Sequence, residues 1–172
     1  MNLLEQEPQP SEPEYRLIPL TQGQFAIVDA ADFEWLNQWK WYAWRSPHTG
    51  SFYAMRAGKD EMGEKIGIYM ARMILGAKRG EQVDHGSHNT LDNRRSKIRI
   101  ATSFQNSFNH RKRKNSRSPY KGVYQNRHGR WSSEIQANGI RKWIGNFATA
   151  EDAHEAYKKT AVELHGEFAC FE

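Results

Sequence analysis

Residues 82–109 read QVDHGSHNTLDNRRSKIRIATSFQNSFN, and the folding of this stretch decides what the middle of the chain can do. Glu81–His85 predicts a short strand running into a polar loop, Gly86–Asn93. Ile98 and Ile100 alternate with Arg99, the period-2 pattern of a half-buried strand. Thr102–Asn109 then predicts a helix, with Thr102 or Ser103 as its N-cap, because a hydroxyl there satisfies a free backbone N–H. Strand, loop, strand and helix in that order make a ββα unit.

The polar residues of this unit are of the types that phosphodiester hydrolysis would use. That reaction needs a base to deprotonate water, a Lewis acid for the charge growing on the leaving oxygen, and cations to hold the backbone. His85 fits the base, since neutral imidazole titrates near physiological pH. Asp84 and Asn106 offer a carboxylate and an amide oxygen, a hard donor pair that suits Mg²⁺ or Mn²⁺ with water and phosphate oxygens completing the shell. Strand alternation turns Asp84 away from His85 unless the strand breaks, and Gly86 makes a break plausible. Taken singly, His85 reads equally as an idle surface histidine and Asn106 as a helix residue facing water; taken jointly, the bland readings weaken. Arg94, Arg95, Lys97 and Arg99 are placed to grip phosphates, with ion pairs to Asp92 or Glu81 as the competing use of the arginines.

Val83-Asp84-His85, Leu91-Asp92-Asn93-Arg94-Arg95, Ile98-Arg99-Ile100-Ala101-Thr102 and Gln105-Asn106 together resemble the phage-type HNH homing endonucleases. The resemblance implies His85 as general base and Asp84 and Asn106 as ligands of one divalent metal. Two positions depart from the family pattern: Lys97 stands where an Asn is usual, and Ala71 where a His precedes Arg72.

The charge runs outward from this unit unevenly. Gly76–Ser118 holds eleven Lys or Arg against three acids, whereas Pro119–Glu172 balances seven bases with seven acids. Met1–Glu14 carries four acids and no Lys or Arg. The connector His110–Ser118 includes Arg111, Lys112, Arg113 and Lys114 and little that is apolar, so it reads as a segment that follows a phosphate backbone.

Beyond the connector, Tyr120–Asn126, Arg130–Ala137 and Ile140–Phe147 predict three strands. His128-Gly129 and Asn138-Gly139 make the turns, the latter a strong hairpin signal. Thr149 caps a helix over Ala150–His165, with Ala153, Ala156, Tyr157, Thr160, Ala161 and Leu164 as its inner stripe and Gly166 as its stop. Strand parity puts Tyr124 with Asn126, Glu134 with Gln136 and Arg141 with Trp143 on common faces, leaving Val123 and Ile135 to face the helix. Trp131 reads as core and Trp143 as an outward ring. Tyr120-Lys121-Gly122-Val123-Tyr124, Gly129-Arg130-Trp131, Arg141-Lys142-Trp143-Ile144-Gly145 and Thr149-Ala150-Glu151-Asp152-Ala153 resemble the Apetala-type (ethylene-response-factor) DNA-binding domain, over about residues 118–171. The resemblance implies that Lys121, Tyr124, Asn126, His128, Glu134, Gln136, Arg141 and Trp143 face the major groove. Several of these replace the charged readers of the plant domains, so the target sequence does not carry over.

The N-terminal part predicts strands over Tyr15–Leu20 and Gln24–Asp29 and a helix capped by Asp29 or Asp32, carrying Phe33 and Leu36, with Trp39 left open as a further position. A hairpin over Lys40–Arg45 and Phe52–Arg56, a strand over Ile66–Met70 and a helical turn over Arg72–Leu75 follow. Trp35, Trp39, Trp41 and Trp44 offer either core packing or a base-stacking platform; core is the preferred reading.

The expected class is therefore α+β: a disordered acidic tail (1–14), a small α+β subdomain (15–75), the ββα nuclease motif (76–109), a basic linker (110–118) and a three-stranded antiparallel sheet on one helix (119–172). With 172 residues, 38% hydrophobic, and a mean hydropathy of −0.88, any core is modest. One cysteine, Cys170, excludes an internal disulfide and a Cys-rich zinc knuckle. No apolar run spans a bilayer and nothing resembles a signal peptide, so a cytoplasmic protein of a bacterial or phage-infected cell is expected. The expected activity is a DNA endonuclease acting on double-stranded DNA with Mg²⁺ or Mn²⁺ and nicking one strand per site. The rivals are a non-cleaving DNA-binding regulator with the same folds and an RNA-binding protein or RNase. Oligomeric state is left open.

Overall fold

The computed structural model of the chain describes residues 14–112 and 116–171. Almost all of the acidic tail, and Arg113 and Lys114 of the connector, lie outside the described residues. The chain is α+β, built from small antiparallel sheets and four helices. It packs as two units that interleave along the sequence: the described part of 1–77 with 87–99, and the described part of 78–86 with 100–172.

The first unit opens with the hairpin β1 (Tyr15–Pro19) and β2 (Phe25–Asp29), paired from Tyr15 opposite Asp29 to Pro19 opposite Phe25. Ile18, Ala26 and Val28 fall on its inner face and are buried. Helix α1 (Ala30–Leu36) follows, with Asp29 at the N-cap position but without a side-chain cap bond. The helix ends before Trp39, shorter than the apolar spacing predicts. The indole of Trp41 donates to the carbonyl of Leu36 at 2.8 Å. A continuing helix would offer that oxygen to the N–H four residues on.

Strands β3 (Tyr42–Arg45), β4 (Phe52–Lys59) and β5 (Lys65–Tyr69) form a sheet in that order. Helix α2 (Met70–Leu75) begins two residues earlier than the sequence suggests, and Gly76 ends it in the left-handed conformation, φ 60°. Its Met70, Ala71 and Ile74 complete a core with Leu36, Trp41, Ala43 and Ala54. Each fully buried side chain of the Leu36 or Met70 kind contributes roughly 1.5–3 kcal/mol. Trp41 is buried, Trp35, Trp39 and Trp44 are half-buried, and Trp39 contacts both Trp35 and Trp41 edge to face. This is packing, not an open stacking platform.

Residues 87–99 join this unit through β2. Ile27 donates to Leu91 O at 2.9 Å and accepts from Asn93 N at 2.8 Å, a parallel bridge opposite Asp92. Asp32 lies in the first turn of α1 and takes Nε and Nη2 of Arg95 at 2.8 Å each.

The second unit contains β6 (Gln82–His85), its sheet partner β7 (Ile98–Ala101), whose last two residues fall in this unit, and helix α3 (Ser103–Phe108). Thr102, not Ser103, caps α3, in a reciprocal capping box with Gln105. Strands β8 (Val123–Gln125), β9 (Trp131–Ala137) and β10 (Ile140–Phe147) make the second three-stranded sheet, with β9 central. β8 is shorter than its apolar pattern predicts. Gly122 has φ +69°, and a Cβ there would stand 2.2 Å from the Tyr157 ring and 2.7 Å from Glu134 O. The chain therefore turns at Gly122, where only glycine fits.

Helix α4 (Ala150–His165) lies on this sheet, capped by Thr149 through Asp152 N at 3.1 Å. Val123, Ala150 and Ala153 form one core cluster with Tyr120, Trp131 and Phe147. Ile135, Tyr157 and Ala161 form a second with Ile144. Trp131 is thus core, and Cys170 is buried.

Candidate active site and nucleic-acid interface

The sequence predicts a convergence of Asp84, His85 and Asn106. β6 carries Asp84 and His85 as its last two residues, and both are buried, 5% and 8% exposed. Strict alternation would send one of them outward; here neither is exposed. Helix α3 faces β6 with residues three apart, which share one side of a helix. Asn106 Nδ2 donates to Gln82 Oε1 at 2.7 Å, and Gln82 Nε2 donates to Ser103 Oγ at 3.1 Å. Asn109, the C-cap residue, donates from Nδ2 to Asp84 Oδ1 at 2.8 Å and to His85 O at 3.2 Å.

Asn106 thus has its amide nitrogen engaged by Gln82, which leaves the carbonyl oxygen as the donor end it can offer an ion. One carboxylate and one amide oxygen are a hard set suited to Mg²⁺ or Mn²⁺ and poorly suited to a soft metal. Among the described residues no group of three His, Cys, Asp or Glu could hold a metal ion.

The candidate phosphate-gripping residues divide. Arg94 binds Asp92 through Nε at 2.8 Å and Nη2 at 2.6 Å, and its guanidinium lies over the Tyr15 ring. Arg95 binds Asp32, and its N–H donates to Asp29 Oδ2 at 2.7 Å. Burial opposes the charge on Asp32 and Asp92. The arginine bonds prevail, and both carboxyls titrate below their ordinary value. Arg95 therefore pins the 87–99 segment to α1 through Asp32, a partner the sequence reading did not name, whereas Arg94 pairs within the segment, with Asp92. Lys97 is exposed and Arg99 half-buried. Arg111 is exposed, while Lys112 Nζ donates to Ser118 O at 3.0 Å. Ala71, at a departure from the family pattern, is buried in α2.

On the second sheet, Tyr124 pairs with Ser132, Glu134 with Trp143, and Gln136 with Arg141, so all six share one face. That face is turned away from α4. Trp143 is 59% and Tyr124 40% exposed. Arg141 stands 3.3 Å from Glu134 with 71% of its side chain in solvent, a weak pairing that leaves it available to a phosphate or base.

Lys121 and Asn126 are used differently from the expectation. Lys121 Nζ donates to Phe108 O at 2.7 Å, and burial lowers its ammonium below the ordinary range. Asn126 accepts from His128 N and Arg130 N through Oδ1 and donates to Ser132 Oγ, stapling the β8–β9 hairpin. His128 is exposed at that hairpin, with Nε2 accepting from Arg127 Nε. A cleft of about 690 Å³ lies where α3 flanks the sheet, lined by Phe104, Ser107, Lys121, Glu134, Gln136 and Arg141 among others.

Sequence reasoning missed Gln82, Asn109 and the Phe108 contacts. The i, i+3 relation of Asn106 and Asn109 was the available signal for Asn109; the others carry none.

No family model matches the chain, and no solved structure matches it significantly. A protein of Acanthamoeba polyphaga mimivirus, described as an uncharacterized HNH endonuclease, is 32% identical over 157 residues, covering 90% of this chain and 78% of that protein. This chain belongs to the HNH endonuclease family. It is also homologous, over about a third of its length, to ethylene-response-factor domains of plant transcription factors. A dehydration-responsive element-binding protein of Arabidopsis thaliana is 40% identical over 57 residues, 32% of this chain and 17% of that protein. An ethylene-responsive transcription factor of Medicago truncatula is 42% identical over 53 residues, 30% and 22% of the two chains. The match therefore spans under a quarter of either plant protein.

Proposed function

We propose that this protein is a DNA endonuclease in which the ββα unit hydrolyses a phosphodiester while the second sheet holds double-stranded DNA by its outer face. The observation that supports the reading is that Asp84 and His85, both buried at the end of β6, lie on a strand bonded to α3 and its C-cap: Asn109 donates to Asp84 Oδ1 and Asn106 to Gln82 Oε1. These elements belong to the same packing unit as the sheet related to plant DNA-binding domains.

In this reading neutral His85 takes the proton of the attacking water. Asp84 and Asn106 would hold one divalent cation, Mg²⁺ or Mn²⁺, which when bound stabilises the charge developing on the leaving 3′ oxygen. Arg99, Lys97 and the connector cation Arg111 steer and hold the backbone. Arg141, Trp143, Tyr124 and Gln136 contact the major groove, Gln136 suited to adenine edges and Arg141 to guanine or phosphate. One site cuts one strand, so the expected product is a nick. Among the described residues no helix is long and apolar enough to cross a membrane. The proposed setting is the cytoplasm of a bacterial or phage-infected cell.

The test is conversion of supercoiled plasmid to open circle with Mg²⁺, Mn²⁺ or EDTA. Metal-dependent nicking that His85→Ala abolishes, with duplex affinity retained, is the expected result. Cleavage surviving in His85→Ala removes the base assignment. Metal-independent binding without nicking would instead identify a DNA-binding regulator, a reading favoured by Ala71 and Lys97 at family positions usually held by His and Asn.

A further inference from the structure

We propose that Asn109 is a positioning residue of this site: its one amide group fixes the Asp84 carboxylate and the His85 backbone together. The inference rests on the roles given to Asp84 and His85 above.

Asn109 is 5% exposed and closes α3 with φ −76° and ψ 5°. Its Nδ2 has two hydrogens, and the two bonds of 2.8 Å to Asp84 Oδ1 and 3.2 Å to His85 O use both. The acceptors belong to consecutive residues at the end of β6, immediately before Gly86. The bond to His85 O sets where the imidazole leaves the backbone. The bond to Asp84 Oδ1 restricts the carboxylate to one orientation.

The choice of an amide matters. A lysine or arginine at this place would also orient Asp84, but it would cancel the charge the carboxylate needs to hold a cation. A neutral N–H orients without neutralising. Surrounding groups of this kind affect metal affinity or turnover about 10- to 100-fold in other proteins.

The experiment compares wild type, Asn109→Ala and Asn109→Ser, the last keeping one hydroxyl donor, with Asp84→Ala as background. Four quantities are read on the full chain: melting temperature, duplex affinity in EDTA, kcat and KM for plasmid nicking, and Mn²⁺ affinity by calorimetry with an uncleaved duplex bound. Asn109→Ala is expected to weaken Mn²⁺ binding about tenfold and lower kcat 10- to 100-fold. KM and the EDTA affinity should stay within twofold, and Asn109→Ser should fall between. In the Asp84→Ala background, removing Asn109 should change Mn²⁺ binding no further.

A folded Asn109→Ala protein with wild-type kcat and Mn²⁺ affinity overturns the proposal. So does a loss confined to melting temperature, or an equal, additive loss in the Asp84→Ala background. If Asn109→Ala does not melt cooperatively, Asn109→Ser is judged by the same criteria. An active His85→Ala protein would sink the reading of the site itself. An inactive one beside wild-type-like Asn109 variants sinks only this inference.

Discussion

Phe108, the last residue of α3, lies flat on His165, the last residue of α4, with ring centroids 3.8 Å apart and planes within 5°. His165 Nε2 also meets Gln136 O at 2.9 Å, and Lys121 Nζ reaches Phe108 O. The helix facing the candidate active site is thereby fastened to the sheet-and-helix module by one stack and one charge-assisted bond. Adjacent residues divide the work. Phe108 meets the module and Asn109 meets β6.

This junction makes stability depend on pH. Burial lowers the pKa of His165 below its ordinary 6.5; the bond to Gln136 O opposes this, and the charge on Lys121 reinforces it. A histidine depressed in the folded state contributes stability above its unfolded value. That contribution is lost as pH falls through the folded value, because the unfolded chain takes up the proton first. His154, also depressed by burial and Lys158, adds in the same direction. Melting temperature should therefore fall as pH drops below about 6.5. His165→Gln, which keeps a donor for Gln136 O, should flatten the profile. A wild-type profile level across this range would contradict the assignment.

Arg95 is expected to matter for folding more than for binding. Its partner Asp32 is 4% exposed, whereas 55% of the Arg95 side chain is in solvent. Among the described residues, Arg95→Ala leaves the buried Asp32 carboxylate the Trp35 indole as its side-chain donor. Solvent screening of the guanidinium reduces the cost to about 1–2 kcal/mol. Asp32 is held below its ordinary 3.8 despite burial, so this stabilisation is present above that value and lost as pH falls through the depressed one. Chemical denaturation should show the loss. The salt dependence of DNA binding should not change, and a slope reduced by about one would restore Arg95 as a phosphate contact.

Arg141 is expected to behave in the opposite way. Its side chain is mostly solvent-exposed and its pairing with Glu134 is weak. Arg141→Ala should leave melting temperature unchanged and weaken duplex binding. The loss is about 1–3 kcal/mol if the guanidinium reads a base; a phosphate contact would instead lower the salt slope by about one. Unchanged affinity across a salt titration would take Arg141 off the interface.

Local rules carried far in the C-terminal module. The Asn-Gly turn, the period-2 strands, the Thr149 cap and the Ala153–Tyr157–Ala161 stripe each specify geometry within a few residues, and Ile140–Phe147 and Ala150–His165 form as their patterns predict. The same rules misjudged α1, where the sequence offers Trp39 as the next helical position. The Leu36 carbonyl, which continuation would bond to the N–H four residues on, accepts instead from Trp39 N and the Trp41 indole. They also could not say which cations face solvent. Lys121 and Arg141 both resemble DNA contacts in sequence, yet one is committed to a carbonyl and the other projects into water.

Residue order alone determined that a carboxylate, an imidazole and an amide recur on a strand and a helix in an unusual constellation, and that alternate residues of three strands share a face. Periodicity and capping act over a handful of bonds, so they survive translation into one dimension. Only the folded chain decided that Arg95 belongs to Asp32, sixty-three positions away, and that Asn109 holds Asp84. Such pairings depend on which surfaces meet, and burial then selects among polar groups that are locally equivalent.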